Sequence, residues 1–243
     1  MDVLSEKKFP VAVRVGGDRT LIGSLVPAGV AVVESFGDPP EARLLPGEEA
    51  VVARAVDKRR REYATVRHCA RLALASLGLP SAAILTGANR EPLWPAGVVG
   101  SMTHCDGYRA AALAPVGTVA SIGIDAEPHG TLPTGVLRLV ARPEELPRLA
   151  ELAAAVPDVH WDRLLFSAKE SVYKAWFPLT RRWLGFDDAT LDFDPVSQVF
   201  TAVLRLTGPR IGGRALTTMR GRWLVADGLI LTAVCVEEPA GAV

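Results

Sequence analysis

The sequence predicts an α+β fold, on three observations. Residues 48–77 and 161–177 carry the apolar periodicity of long helices. The chain beyond residue 190 is strand-like. Helices and strands do not alternate as a βαβ series requires, so a doubly wound sheet is not expected.

The elements follow in order. Residues 1–46 read as short strands and turns: Val11, Val13 and Val15 alternate, and 30–33 is rich in β-branched residues. Pro39, Pro40, Pro46 and Gly47 punctuate the approach to the first helix, predicted over 48–77, with Gly78 and Pro80 as its stop signal. Residues 82–85 read as a short strand and 87–100 as turns, before the segment 101–114 and an apolar strand over 119–124. Residues 128–133 are a loop. A helix is expected over 146–156, after Pro143, and a second strong helix over 161–177, closed by Pro178. Strands are expected over 191–193, 200–206, 222–226 and 230–236, with Asp227-Gly228 as a hairpin turn.

Composition narrows the class. Of 243 residues, 49% are apolar and 22% charged, enough to bury a core and too apolar for a disordered chain. Lys plus Arg and Asp plus Glu are both 27, so the net charge is zero, which argues against a general polyanion binder. Cys69, Cys105 and Cys235 are too few and too scattered for a disulfide framework or a thiolate zinc site. Asp2 and Glu6 stand where a signal peptide would be basic, and Gly78, Pro80 and Gly87 interrupt the longest uncharged stretch. The expectation is a cytoplasmic, soluble protein with reduced thiols. No heptad or exposed apolar stripe asks for an oligomer, so a monomer is expected.

Four constellations can carry chemistry. In Ser121-Ile122-Gly123-Ile124-Asp125-Ala126-Glu127, strand alternation puts Asp125 and Glu127 on one face and Ile124 and Ala126 on the other. Neighbouring carboxylates repel unless a cation lies between them, and Mg²⁺ takes oxygen ligands and bridges phosphates; taken alone, an isolated D-x-E is more often a solvated strand end. On the helix 161–177, Trp161, Leu165, Ala168, Val172, Ala175 and Trp176 form one apolar stripe. Glu170 lies nearly opposite, with Lys174 one turn on and Lys169 at the border. An exposed i,i+4 pair is the plain alternative, but Phe166, Tyr173 and Phe177 flank Glu170 and suggest that its face is covered too. His104, in Gly100-Ser101-Met102-Thr103-His104-Cys105, can donate to a phosphate or be a turn histidine; a His104–Cys105 nucleophile pair is disfavoured, because strand neighbours face opposite ways. Arg59, Tyr63 and Arg67 lie four apart on one helix side, suited to a phosphate and an aromatic base or to solvent, and Arg90 can add a cation from its loop. Together these features ask for a polyanionic ligand and a metal ion.

In order and spacing, Gly-Ser-Met-Thr-His-Cys (100–105), Gly-Ile-Asp-Ala-Glu (123–127) and Phe-Ser-Ala-Lys-Glu-Ser-Val-Tyr-Lys (166–174) resemble the 4′-phosphopantetheinyl transferases. The likeness is to the single-chain Sfp type, in its enterobactin-synthetase-component-like actinobacterial branch, and runs from about residue 45 to 190. It implies two pseudo-twofold-related halves, 1–118 and 119–243, with coenzyme A in the cleft between them. It implies transfer of the phosphopantetheine arm of coenzyme A to a serine of an apo acyl or peptidyl carrier protein, with Mg²⁺ (or Mn²⁺). Asp125, Glu127 and Glu170 match the metal-binding acids, and Glu170 also matches the proposed general base. Lys174 matches a phosphate-contacting lysine that assists the leaving group. His104, Arg59 and Arg67 match coenzyme A contacts, with Ser101 and Lys169 as lesser contributors. Two departures stand out. Ala126 lies where some members carry a third acid. Thr86 lies where relatives often carry Lys, a charge that Arg90 is expected to replace. Two other readings are weaker. A metal-dependent nuclease would want a Lys two residues after its second acid, where Pro128 and His129 follow Glu127, and a binding-only relative would not need all of the acids and Lys174.

Overall fold

The structure is a computed structural model and describes residues 12–15 and 20–238. Strands β1 (Ala12–Val15) and β2 (Ala31–Phe36) pair antiparallel, and a 3-10 turn, Ile22–Leu25, lies between them in sequence. Val11 falls outside the described residues. Helix α1 (Asp57–Ser76) follows, then the minimal hairpin β3 (Leu85–Thr86) and β4 (Pro92–Leu93). Next come β5 (Val98–Cys105), β6 (Tyr108–Pro115) and β7 (Ser121–Pro128). Helices α2 (Leu137–Val140), α3 (Glu145–Ala155) and α4 (Trp161–Thr180) lead into β8 (Ala189–Asp194) and β9 (Val199–Leu204). After the short pair β10 (Arg210–Ile211) and β11 (Arg214–Ala215), a hairpin of β12 (Thr218–Ala226) and β13 (Leu229–Val236) ends the described chain.

Besides the two-stranded pairs β3-β4 and β10-β11, two larger antiparallel sheets result, with strand orders β1-β2-β6-β5 and β7-β13-β12-β9-β8. Helix α1 covers the first through Cys69, Ala70, Ala73 and Leu74, packed on Val33, Ala111 and Leu113. Helix α4 covers the second with its apolar stripe, and Trp161, Leu165, Ala168, Val172, Ala175 and Trp176 are all buried. The remaining faces of the sheets share a third core, where Val32, Ala110 and Ala112 meet Ile122, Ile124 and Leu231. The expected mixture of helices and antiparallel strands is therefore present. Among the described residues, no helix is long and apolar enough to cross a membrane.

Several boundaries differ from the sequence expectation: the short strand expected over 82–85 is Leu85–Thr86, the strand expected over 119–124 is Ser121–Pro128, and three further shifts have a clear physical cause. The first helix begins at Asp57, after a separate 3-10 turn at Glu49–Val52. Glu48 is buried instead of helical: it accepts the N–H groups of Leu45 and Ile84, both at 2.8 Å, and pairs with Arg71 at 3.0 Å. Anchoring that carboxylate takes the chain out of helical register before α1 starts. Pro178 does not close α4, which runs on to Thr180. A proline in the last turn forfeits one backbone bond, to the Lys174 carbonyl. The helix ends where Arg181 turns left-handed at φ 53° and donates its N–H to the Phe177 carbonyl. Strand β12 starts at Thr218, ahead of the predicted 222, because it pairs along β9. The Asp227-Gly228 turn stands as expected, with φ of 52° and 73°, the doubly positive pattern of a type I′ hairpin.

Candidate active site

The site begins with a glycine. A Cβ on Gly123 would lie 1.9 Å from the Ser171 carbonyl oxygen and 2.6 Å from the Ala175 nitrogen. Only glycine allows the backbone of α4 to lie this close on β7. Strand alternation then works as the sequence suggests. Ile122, Ile124 and Ala126 enter the shared core, while Asp125 and Glu127 come up on the α4 side. One turn apart on α4, Glu170 and Lys174 arrive above them.

Lys174 donates to Asp125 Oδ1 at 2.8 Å and to the Ile124 carbonyl at 2.9 Å. Thr103 adds a 3.3 Å hydrogen bond to the same carboxylate oxygen. Asp125 Oδ2 is buried and accepts no hydrogen bond from the described residues. Glu127 takes a 2.8 Å ion pair from Arg163. Burial, and then the charge of Asp125, raise the Glu127 carboxyl above its usual range, against the pull of Arg163. Glu170 is raised in the same way, by burial first and Asp125 second, with Lys174 opposing. Three acids thus share one region, and the charge of Asp125 disfavours ionisation of Glu127 and Glu170.

The two sheets meet at this place along their edges. Strands β5 and β7 lie side by side, yet no backbone ladder joins them among the described residues. Ser101 Oγ accepts the Ile124 N–H and Thr103 Oγ1 accepts the Ala126 N–H, each at 3.1 Å. Hydroxyls on β5 thereby satisfy the edge of β7.

A cleft of about 1150 Å³ opens over the seam, walled by α1, the 87–91 loop, β5 and the C-terminal turns of α4. Arg59, Arg67, Arg90, Ser101, His104, Glu170 and Lys174 all line it. Arg59 contacts the ring Nε2 of His104, and Glu62 lies within 3.8 Å of both. Burial and the neighbouring cations, Arg59 first, push His104 down to about 4, so its ring is neutral at pH 7. Arg90 sits in a left-handed conformation, φ 68°, at the tip of the 87–91 loop, exposed at the cleft mouth.

Family models of two adjoining regions match the chain. The 4′-phosphopantetheinyl transferase N-terminal domain matches residues 47–114, and the 4′-phosphopantetheinyl transferase superfamily matches 121–218. The 4′-phosphopantetheinyl transferase Svp of Streptomyces mobaraensis is 54% identical over 224 residues, 91% of each chain. The chain belongs to the 4′-phosphopantetheinyl transferase superfamily. A second relative, the 4′-phosphopantetheinyl transferase PptT of Mycobacterium tuberculosis, is 50% identical over 88% of this chain and 97% of its own. Enterobactin synthase component D of Salmonella typhimurium is more distant, 30% identical over 73% of this chain and 72% of its own. The motif resemblance is therefore correct at the level of the family, and the chain is a transferase of this type.

Two expected ligand contacts are held by partners within this phosphopantetheinyl transferase itself. Lys169 is buried outside the main cleft. Its ammonium is taken by Glu145 at 2.7 Å and by the Val140 and Phe186 carbonyls at 2.9 and 2.8 Å. With all three donors committed, it ties α2, α3 and the 186–188 turn to α4 and has none left for a ligand. Arg67 lines the cleft, but as wall: it donates to the Ile84 carbonyl and Thr86 hydroxyl, both at 2.8 Å, and stacks on Tyr63 at 3.2 Å. Burial lowers its pKa to about 10. Thr86 Oγ1 also meets the Tyr63 hydroxyl at 2.8 Å, so this position is a hydrogen-bond node, with no charge of its own. Cys105 is no nucleophile, since burial lifts its thiol to about 12.

Other cleft residues were given no site role in the sequence reading. Glu62 sits among Arg59, His104 and Arg109, whose guanidinium is 3.7 Å away. Tyr173 and the exposed Trp183 stack at 4.8 Å on the cleft wall, and Arg181 reaches across the mouth to Glu91 at 3.2 Å. The helical spacing of Tyr173 and Phe177 around Glu170 was the one available signal. Nothing in sequence pairs Arg181 with Glu91.

The donor set suits a hard divalent cation. It is all carboxylate oxygen, one oxygen of Asp125 is buried without a donor, and the acids repel one another. Among the described residues, however, no three ligating side chains converge as a formed metal cage. Lys174 and Arg163 each bond one acid oxygen, so the acids are arranged as neighbours around chain cations.

Proposed function

We propose that this transferase moves the 4′-phosphopantetheine arm of coenzyme A onto a serine of an apo acyl, peptidyl or aryl carrier protein and releases adenosine 3′,5′-bisphosphate. The observation that carries this reading is Glu170 and Lys174 set over Asp125 at the wall of a cleft whose other end is basic. In this reading Arg59, Arg90 and His104 hold the nucleotide phosphates, with Arg67 and Tyr63 as the wall behind them. Neutral His104 contributes a hydrogen bond and leaves the positive charge to the arginines. Lys174 contacts the pyrophosphate and the leaving phosphate.

The serine Oγ attacks the β-phosphorus, and the bond from that phosphorus to the bridging oxygen breaks. The serine proton passes to Glu170, directly or through a water. The displaced phosphate of the nucleotide leaves against Lys174. Asp125, Glu127 and Glu170 would hold Mg²⁺, with Mn²⁺ as substitute, and the ion supplies charge neutralisation on the pyrophosphate. The halves 1–118 and 119–243, each with one sheet and one long helix, are read as a pseudo-twofold pair. The enzyme is placed in the cytoplasm as a monomer, with neither nucleic acid nor membrane among its partners.

The test is intact mass of an apo carrier protein incubated with the enzyme, coenzyme A and Mg²⁺. A gain of one phosphopantetheine, lost with EDTA and with Asp125→Ala, is expected. No gain on any of a panel of acyl, peptidyl and aryl carriers refutes the transfer reading.

A further inference from the structure

Behind Glu127 the first turn of α4 grips the loop that leaves β7. Arg163 gives one N–H to Glu127 Oε2 at 2.8 Å, a second to the Gly130 carbonyl at 3.1 Å, and a third to the Thr131 carbonyl at 2.6 Å. Its neighbour Asp162 accepts the Leu132 N–H at 2.8 Å. One residue before Gly130 and two before Asp162, the His129 and His160 rings stack edge to face at 4.7 Å. Residues 129–132 are thus matched against 160–163, contact by contact.

Within this clamp, Arg163 is the one member that touches an acid of the site. Its side chain is mostly buried, and three anchors fix its planar fork. Glu127 therefore has one oxygen tied from behind and the other without a donor among the described residues. An untethered glutamate beside Asp125 would swing away from it, because the two like charges repel at close range.

We propose that Arg163 is a positioning residue, which holds the Glu127 carboxylate beside Asp125 as an oxygen ligand for the divalent cation. This rests on the reading of Asp125, Glu127 and Glu170 as the metal acids. The role is to orient a ligand through its outer partner, and loss of such partners commonly weakens metal affinity about 10–100-fold.

The experiment is Mn²⁺ binding to the full-length enzyme without coenzyme A, followed by the paramagnetic resonance signal of free Mn²⁺. Steady-state kinetics in varied Mg²⁺ accompany it. Arg163→Ala is expected to weaken Mn²⁺ binding about tenfold or more and to raise the Mg²⁺ requirement, with little change in the KM for coenzyme A. Arg163→Lys, which keeps the charge and shortens the fork, should recover part of the loss. Asp162→Ala loosens the same loop without touching Glu127 and should bind Mn²⁺ as the wild type does. Unchanged or tighter Mn²⁺ binding in Arg163→Ala overturns the proposal, as does an equal loss in Asp162→Ala, which would mark a general effect of the loop. Glu127→Gln separates the two readings: if it leaves Mn²⁺ binding intact, the acid-site assignment itself fails and the positioning role falls with it. If Arg163→Ala does not fold, Arg163→Lys is decisive alone, and wild-type Mn²⁺ affinity there would mean that the fork is unimportant.

Discussion

Gly123→Ala tests the contact that builds the site. The added methyl would sit 1.9 Å from a backbone oxygen and 2.6 Å from a backbone nitrogen, and neither can rotate away as a side chain would. Relief to a tolerable separation requires α4 to retreat from β7 by about 1 Å. Overpacking of this kind costs about 1–3 kcal/mol, and the upper end applies because backbone is the obstacle. For a chain of this length, 3 kcal/mol lowers the melting temperature by about 6–12 °C. The same retreat stretches the 2.8 Å bond between Lys174 and Asp125 past hydrogen-bond range and lifts Glu170 with it. A displacement of about 1 Å at reacting groups costs on the order of 10²-fold in rate. Melting curves and the carrier mass assay, both on folded monodisperse protein, read the two effects separately. Wild-type stability together with wild-type turnover would refute the close-approach argument. Reduced stability with undiminished turnover would show that the α4–β7 contact does not set the catalytic geometry.

Lys169→Met should lower stability by about 3–5 kcal/mol, because it strands the Glu145 carboxylate in a buried site. Turnover per folded molecule should stay near wild type, and a rise in the KM for coenzyme A would restore the ligand role. Glu170→Gln should abolish most transfer yet stabilise the metal-free protein at pH 7. The sign follows from the raised carboxyl: folding favours its protonated form, so that contribution is complete below the ordinary carboxylate value and is lost as pH rises through the folded pKa. The stability gain of Glu170→Gln should therefore fade as pH falls through the raised folded pKa and be gone below about 4.5, and melting curves across pH in EDTA would show a constant gain if burial of the charge were irrelevant.

What the sequence made legible, and what it hid, follows from the range of each signal. Periodicity along one helix located the apolar stripe of α4 and put Glu170 and Lys174 on the other side. Alternation along one strand put Asp125 and Glu127 together, and the order of motifs identified the family. Each is a local pattern. Lys169 stood at the border of its helix, where the wheel alone does not say whether a lysine reaches solvent or a buried glutamate from another helix. Arg163 reads as an ordinary first-turn arginine, and its three anchors come from β7 and the loop after it, more than thirty residues away. Glu48 looked like the first residue of a helix, since nothing nearby announces the buried Arg71 that claims it. Gly123 carries no signal of its own in the sequence, and only the helix lying on it reveals why a side chain is not tolerated.

Ser101 and Thr103 explain why the site lies on a seam. An edge strand exposes unpaired N–H groups, and a second sheet placed against it must pair them or leave them buried without partners. A continuous backbone ladder would weld the two sheets into one and give β5 and β7 a regular spacing. Hydroxyls take over at two successive inward positions instead, and one of them, Thr103, also reaches Asp125. The strand that closes the sheet edge therefore also orients the acid, and the cleft opens where hydroxyls replace the ladder. Replacing both hydroxyls with methyl-sized groups would strand the Ile124 and Ala126 N–H groups and untie Asp125 in one step. On this argument the small polar residues before His104 belong first to the architecture and only through it to the chemistry.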